Sequence, residues 1–192
     1  YEFPMGFKEL EGVHNRTNFD LTRHTEYSGK DMQYIDQDNG NERYIPYIIE
    51  TSAGLTRNLL MFLCDAYEEQ KVADKGNDDD WRTVLHFHPV IAPITVAVLP
   101  LMKKDGLAEL AQDIQAELRE DFRTDYDQSG AIGKRYRRQD EAGTPFCVTV
   151  DYDSKEDGTV TLRFRDSMEQ VRIPRAELAN RIRTEIKNYT RA

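Results

Sequence analysis

The chain has 192 residues, of which 39% are hydrophobic and 32% charged, a composition typical of a folded globular protein and not of a disordered one. Its net charge of −9 argues against a general nucleic-acid coating protein, because such binding needs clustered Lys and Arg. The charge is uneven: residues 1–88 hold 9 basic and 17 acidic side chains, whereas residues 89–192 hold 17 and 18.

The first half predicts a mixture of strands and helices. "GFKELEGVHN" reads as extended, and "TNFDLTRHTEYSG" predicts a helix capped by Thr17 or Asn18 and ended by Gly29. "DMQYID" and "RYIPYIIET" predict strands, because Ile and Tyr favour the pleated sheet. Apolar residues at helical spacing then predict a helix from about Leu55 to Gln70.

A composition change suggests a boundary in the middle of the chain. "GNDDDW" (76–81) is a charge run, and "HFHPVIAP" (86–93) contains two prolines. We therefore predict one domain over residues 1–80, a linker over 81–92 and a second domain over 93–192, with the aspartates 78–80 as a solvated linker face. His86 and His88 lack a third metal ligand at suitable spacing, so we expect structural roles for them.

The second half alternates between strands and helices. We predict strands over 94–101, 122–127, 145–151 and 159–166, and helices over 106–121, over 131–143 and from Pro174 onward. "SKEDG" reads as a hairpin-like turn between the last two strands. This order predicts an α/β fold with a mixed sheet of five or four strands flanked by three helices.

The cysteines and the ends of the chain bear on its environment. Cys64 and Cys147 each lie in an apolar segment, so we expect buried, reduced thiols. No apolar run approaches the roughly 20 residues of a membrane span, and no signal-peptide pattern opens the chain. Because Tyr1 lies inside what reads as a strand or turn, we expect the sequence to be part of a longer protein.

The stretch "ETSAGLTRNLLMFL" (50–63) is the first candidate site. It reads as a strand end, a turn at Gly54 that allows close approach, and a helix whose free N–H groups attract anions. Arg57 can fork onto a phosphate or lie along a planar ring, and Glu50 and Ser52 share a strand face that suits a small ammonium group. The alternative is a surface ion pair of Glu50 and Arg57, with Ser52 as a helix cap.

The stretch "GKRYRR" (133–138) is the second candidate site. It predicts either a solvated basic helix or a helix that contacts RNA, with Tyr136 available for packing or stacking. Arg163 and Arg165 alternate on one strand face and are weaker candidates for the same contact. The RNA-contact candidates of the helix are Lys134, Arg135, Arg137 and Arg138.

Longer motifs resemble one enzyme family. "GFKELEGVHNRTNFDLTRHTEYSGKDMQYID" and "YIPYIIETSAGLTRNLLMFLCDAY" resemble the carboxyl-terminal part of the catalytic domain of bacterial homodimeric glycyl-tRNA synthetases, which are class II enzymes. "ELEG" and "NRTNFDLTRH" are specific to the glycyl enzymes, whereas "GLTR" of motif 3 is class-wide. The second half resembles the anticodon-binding domain shared with the histidyl, prolyl and threonyl enzymes. The resemblance implies a partial class II antiparallel sheet followed by that domain.

The resemblance also implies roles for individual residues. It implies that Glu50, Thr51 and Ser52 bind glycine, and that Thr51 replaces a usual proline, which loosens the pocket slightly. It implies packing for His14 and His24, and no catalytic side chain. Glu9 would also act on Mg²⁺ bound to the ATP phosphates. The ATP contacts that it implies are Glu9, Leu10, Gly54, Leu55, Thr56 and Arg57.

The function that the resemblance implies is ATP-dependent activation of glycine and its transfer to tRNA(Gly), with Mg²⁺, in a cytoplasmic homodimer without membrane contact. Motifs 1 and 2 are absent from these residues, so we expect the chain alone not to aminoacylate. Two alternatives remain open. One is a noncatalytic nucleic-acid-binding protein on a synthetase-like fold, and the other is a free-standing anticodon-like interaction module.

Overall fold

The computed structural model describes residues 1–72 and 80–190. Its contacts divide the chain into two compact units, Tyr1–Cys64 and Asp65–Ala192. This division lies upstream of the linker predicted over 81–92, and Asp78 and Asp79 of the predicted linker face lie outside the described residues. The functional domain bounds 1–80 and 93–192 stay a prediction.

The first unit contains small antiparallel sheets, helix α1 and all but the last two residues of helix α2. Strand pairs β1–β2, β3–β6 and β4–β5 form three separate two-stranded sheets. The predicted stop of the first helix is confirmed, because Gly29 is left-handed and its N–H donates to the Thr25 carbonyl at 3.0 Å. The elements are β1 Glu2–Phe3, β2 Gly6–Phe7, β3 Glu11–Thr17, α1 Phe19–Ser28, β4 Tyr34–Asp36, β5 Glu42–Tyr44, β6 Ile48–Ala53 and α2 Leu55–Ala66.

The second unit is a mixed α/β structure. A hairpin of two strands precedes a five-stranded sheet with the order β10-β9-β11-β12-β13. Strands β9, β10 and β11 are parallel, while β12 is antiparallel to both of its neighbours, which confirms the predicted mixed sheet. The elements are β7 Tyr67–Lys71, β8 Trp81–Leu85, β9 Val96–Pro100, α3 Leu107–Leu118, β10 Thr124–Tyr126, α4 Ile132–Ala142, β11 Phe146–Val150, α5 Tyr152–Asp157, β12 Thr159–Phe164, β13 Gln170–Pro174 and α6 Leu178–Lys187.

The five-stranded sheet is covered on both faces. Alternate strand residues such as Val98 and Val148 pack with α3 and α6 in the main core. The intervening residues, including Leu99 and Cys147, pack on the other face against Ile132 and Tyr136 of α4. Because β9 and β11 are buried on both faces, each reads as a continuous apolar or small-residue run in the sequence.

The predicted helix over Leu55 to Gln70 is too long. Helix α2 ends at Ala66, and the next five residues are strand β7, which pairs with β8 from Tyr67↔Leu85 to Lys71↔Trp81. Strand β8 lies inside the predicted linker. Helical spacing alone does not reveal a strand whose partner lies ten or more residues further along the chain.

The end of the second half also differs from the prediction. The predicted "SKEDG" turn is wrong: its first four residues belong to α5, and Gly158 caps that helix. Helix α5 begins with a capping box between Asp151 and Ser154. Strand β13 was not predicted, and the final helix starts at Leu178 after a 3₁₀ turn, later than Pro174. The sheet therefore has five strands, and the helices that accompany it are the long α3, α4 and α6 and the short α5.

The two cysteines differ in exposure. Cys147 is buried as expected, and burial raises the pKa of its thiol to about 12. The expectation for Cys64 is wrong, since it is half-buried. Within the described ranges, none of the helices is both long and apolar enough for a membrane crossing.

Candidate functional site

The β3–β6 ladder places two of the predicted glycine-binding residues on one face. Gly12 pairs with Ser52, and His14 pairs with Glu50. Directly paired residues of antiparallel strands project to the same side, so the four residues share a face. Thr51 pairs with Val13 and belongs to the opposite face. The structure therefore brings Glu50 and Ser52 together, but not the side chain of Thr51.

Gly12 leaves room on this face for a histidine ring. A Cβ atom added at Gly12 would overlap the Nε2 atom of His14. The imidazole thus lies over the glycine backbone beside the paired Glu50. This packing is the role expected for His14. Its ring forms part of the surface around the glutamate.

Glu50 is held by an arginine that the sequence reasoning did not select. The Nε atom of Arg16 donates to Oε2 of Glu50 at 2.5 Å, and this hydrogen bond lowers the pKa of the carboxyl. Arg16 lies where the ladder shifts register between Asn15 and Thr17, and Thr17 has a φ of 55°. The signal in the sequence was the "NRTNF" stretch, but a register shift cannot be read from alternation.

Arg57 connects the two segments predicted to contact ATP. Its Nη1 atom donates to the backbone carbonyl of Glu9 at 2.7 Å, across 48 residues of sequence. The alternative interpretation, a surface ion pair between Glu50 and Arg57, is wrong, because Glu50 forms its ion pair with Arg16. Within the described residues, no hydrogen bond or ion pair is assigned to the Glu9 carboxylate, so it is available to a ligand.

The turn before α2 exposes three further ATP candidates, Gly54, Leu55 and Thr56, whereas Leu10 precedes β3 and is half-buried. Leu55 and Thr56 begin the helix and are exposed. Gly54 does not have a left-handed φ, and a Cβ added there would be 3.5 Å from the Cβ of Arg57, an ordinary contact. Its carbonyl accepts from the backbone and side-chain nitrogens of Asn58 at 2.9 and 3.0 Å. The backbone conformation therefore does not require glycine at this position.

A magnesium role for Glu9 is compatible with the donor set. Among residues 1–72 and 80–190, no group of three or more His, Cys, Asp and Glu could hold a metal. Mg²⁺ commonly keeps several waters and binds through one or two carboxylates plus substrate phosphates. A single exposed carboxylate, on a residue whose backbone carbonyl accepts from Arg57, fits that chemistry.

The four basic candidates of α4 have different environments. Lys134 is exposed, and within the described residues no hydrogen bond or ion pair is assigned to its side chain. Arg135 is 3% exposed and donates from Nη1 to the Pro100 carbonyl at 2.5 Å. Arg137 donates to Asp80 at 2.8 Å, and Arg138 pairs with Asp127. Tyr136 packs, with its ring 4.8 Å from the Arg163 guanidinium.

The two weaker arginine candidates are internal. Arg163 is 5% and Arg165 is 1% exposed, so neither presents a free guanidinium to RNA. Arg163 donates to both carboxylate oxygens of the fully buried Asp140 at 2.8 and 3.0 Å. Arg82 donates to the same carboxylate at 3.1 Å, which attaches strand β8 to helix α4.

The linker histidines have structural partners. The Nδ1 atom of His86 lies 2.6 Å from Oδ1 of Asp166, and its Nε2 atom lies 3.1 Å from the Gln70 amide nitrogen. The ring of His88 packs edge-on against Tyr189, with 5.0 Å between centroids. These contacts agree with the expected structural roles.

Comparisons with known proteins agree with this architecture. A family model described as an anticodon binding domain matches residues 95–185, a range that holds all five strands of the mixed sheet. The first unit lies outside that match. Similarity to curated proteins extends over both units. The chain is homologous to glycine–tRNA ligases.

The similarity is high and covers the chain from end to end. The chain is 88% identical over 192 residues to a glycine–tRNA ligase of Treponema denticola, covering 100% of this chain and 43% of that protein. It is 59% identical over 211 residues to the glycine–tRNA ligase of Treponema pallidum, and this alignment covers 100% of this chain and 46% of that protein. It is 58% identical over 191 residues to the glycine–tRNA ligase of Borrelia hermsii, with 98% of this chain and 42% of that protein covered. The chain thus spans less than half the length of these curated relatives.

Proposed function

We propose that the protein carrying this sequence is a class II glycine–tRNA ligase, which activates glycine with ATP and transfers it to tRNA(Gly). The chain supplies part of the ATP and glycine site together with the anticodon-binding domain. The observation that carries the proposal is the contact of Arg57 with Glu9, because it joins two candidate ATP segments in a chain homologous to such ligases.

The glycine site rests on Glu50 and Ser52. The hydrogen bond from Arg16 favours ionised Glu50, and it uses only Oε2, so Oε1 can accept from an ammonium group. Ser52 lies two residues away on the same face. A substrate without a side chain fits a site whose walls exclude larger amino acids, so exclusion by size replaces editing.

The ATP site combines positioning with charge neutralisation. Arg57 and the backbone around Leu10, Gly54, Leu55 and Thr56 would hold the nucleotide, and the Glu9 carboxylate would hold Mg²⁺ on its phosphates. The glycine carboxylate attacks the α-phosphorus and pyrophosphate leaves. The tRNA terminal ribose then takes the glycyl group and AMP leaves. These side chains orient and neutralise the reactants.

The rest of the proposal concerns the whole protein. By resemblance, it is a cytoplasmic homodimer that binds tRNA(Gly) through its anticodon-binding domain. Of the four basic candidates on α4, Lys134 has the most accessible charge, while Arg135 is buried and Arg137 and Arg138 are engaged with carboxylates.

Glu50→Gln in the full-length enzyme tests the amino-group role. The amide keeps the shape of the side chain but removes the charge that pairs with the glycine ammonium, so we expect glycine-dependent ATP–pyrophosphate exchange to be abolished. Glu26→Gln is a matched control, because Glu26 forms an exposed pair with Arg23 on α1. Near-normal exchange by the Glu50 variant would reject the proposed role.

A further inference from the structure

Three lysines of the second unit lie near one edge of its sheet. Lys103 and Lys104 follow β9, and Lys134 lies in the first turn of α4, which follows β10. All three are exposed, and within the described residues no ion pair or side-chain hydrogen bond is assigned to any of them. Strands β9 and β10 are parallel, so their carboxyl ends meet at the same edge.

Arg135 joins the segments that carry these lysines. Its Nη1 atom donates to the carbonyls of Pro100 at 2.5 Å and Asp127 at 3.3 Å, and its Nη2 atom donates to the carbonyl of Leu101 at 3.2 Å. One buried guanidinium from the beginning of α4 therefore binds the carboxyl ends of both β9 and β10. The lysines on either side are held around the same strand ends.

The nearby carboxylates have partners of their own. Asp127 pairs with Arg138, and Asp105 accepts from the hydroxyl of Tyr152 at 2.8 Å. Lys155 donates to the carbonyl of Asp105 on the side of β11. Helix α5 follows β11 and carries further acidic residues. Within the described residues, neither Asp127 nor Asp105 is assigned an ion pair with any of the three lysines.

The beginning of α4 adds to the positive potential. Its N-cap residue Ala131 makes no side-chain capping hydrogen bond, so the first backbone N–H groups are not occupied by such a cap. A Cβ added at Gly133 would meet nothing within 4 Å, which shows open space beside this turn. A phosphate can approach the turn closely.

We propose that Lys103, Lys104, Lys134 and the first turn of α4, here called the lysine edge, bind the sugar-phosphate backbone of RNA. This inference rests on the proposed function, in which the RNA is tRNA(Gly). Flexible ammonium groups without internal partners suit phosphate contacts, which position an RNA without reading its bases. The lysine edge thus adds Lys103 and Lys104 to the RNA contacts and retains Lys134.

The test compares two double variants of the 192-residue chain that lose the same charge. Lys104→Gln with Lys134→Gln changes the lysine edge. Arg119→Gln with Lys187→Gln removes two other exposed cations, at the carboxyl ends of α3 and α6, whose side chains have no assigned hydrogen bond or ion pair among residues 1–72 and 80–190. Binding of transcribed tRNA(Gly) and of one unrelated tRNA is measured by filter retention over a series of salt concentrations, and circular dichroism checks folding.

We expect the lysine-edge variant to bind both tRNAs about tenfold more weakly, with a slope of log K against log salt reduced by about two, because each phosphate contact contributes roughly one. The control variant should keep the wild-type slope. Equal loss in both variants overturns the lysine edge. Equal wild-type affinity for both tRNAs, with the slope difference intact, contradicts the proposed tRNA(Gly) recognition and leaves the lysine edge supported.

Discussion

Asp166 shows how neighbouring donors keep a partly buried carboxylate ionised. Burial opposes its ionisation, but hydrogen bonds from Arg165 at 2.7 and 3.0 Å and from His86 outweigh burial and lower the pKa of the carboxyl. The hydroxyl of Tyr189 also donates to it at 3.0 Å. The ionised form is therefore favoured in the folded state over the unfolded state.

Asp166→Asn should lower the free energy of unfolding of the second unit at pH 7. It should also make that free energy fall less as the pH is lowered. A depressed folded-state pKa contributes stability that is present above the unfolded value, near 4, and is lost as the pH falls through the lower folded value. Urea midpoints of both proteins between pH 2 and 7 measure this. The expected difference is largest at neutral pH and shrinks below about pH 4.

Asp157→Asn is the control, because Asp157 also has a lowered pKa but is exposed and bonds mainly to Thr159. Its midpoint should change much less at pH 7. An unchanged pH profile in the Asp166 variant would contradict the role assigned to that carboxylate.

The candidate site shows how far single residues can be predicted. Glu50 and Ser52 were selected because alternate strand residues share a face, and the ladder places them so. Arg16 was missed because its reach to Glu50 depends on a register shift in β3. Its contact spans 34 residues of sequence, and no local pattern encodes such a distance.

At the scale of elements, the end of α4 depends on the lack of a side chain at Gly143. This residue has a φ of 77°, and a Cβ added there would lie 2.5 Å from Cδ2 of Phe87 and 2.8 Å from the Leu85 carbonyl. Leu85 and Phe87 therefore lie so close to the end of α4 that only glycine fits at position 143. The sequence predicted a helix over 131–143 that ends at this glycine, but not the close approach of Leu85 and Phe87.

Gly143→Ala should lower the free energy of unfolding by at least about 3 kcal/mol, because left-handed strain and overlap with backbone act together. Gly130→Ala is a matched control with the same φ of 77° and nothing within 4 Å of the added Cβ. It should cost only the strain, about 1 kcal/mol. Urea denaturation of the two variants measures the difference, and equal losses would show that the close approach is not rigid.

At the scale of the whole molecule, the two units differ in how much they bury. Helix α3 has 12 residues, five of which are buried, whereas α2 also has 12 residues but only Ala66 is buried. Helix α1 has no buried residue. Apolar side chains of the first unit that remain exposed include Val13, Ile49, Leu59 and Phe62.

In the 192-residue chain, we expect amide hydrogens of α2 to exchange roughly a hundredfold faster than those of α3, since local opening is easier where few apolar contacts are lost. Hydrogen exchange followed by mass spectrometry measures both helices in one sample. Their equal length makes α3 the internal control. Comparable protection in the two helices would contradict the difference in burial.

Local periodicity and turn chemistry were enough to predict the mixed sheet of the second half up to β12 with helices α3 and α4, the glycine stop of α1, and the shared strand face of Glu50 and Ser52. They did not reveal α5, β13 or the partners of the charged side chains, which depend on tertiary contacts. Arg135, Arg163 and Arg165 are buried, while Lys134 is exposed and no partner is assigned to its ammonium group in the part of the chain that the structure describes. Charge is local information, but burial and pairing depend on residues distant in sequence.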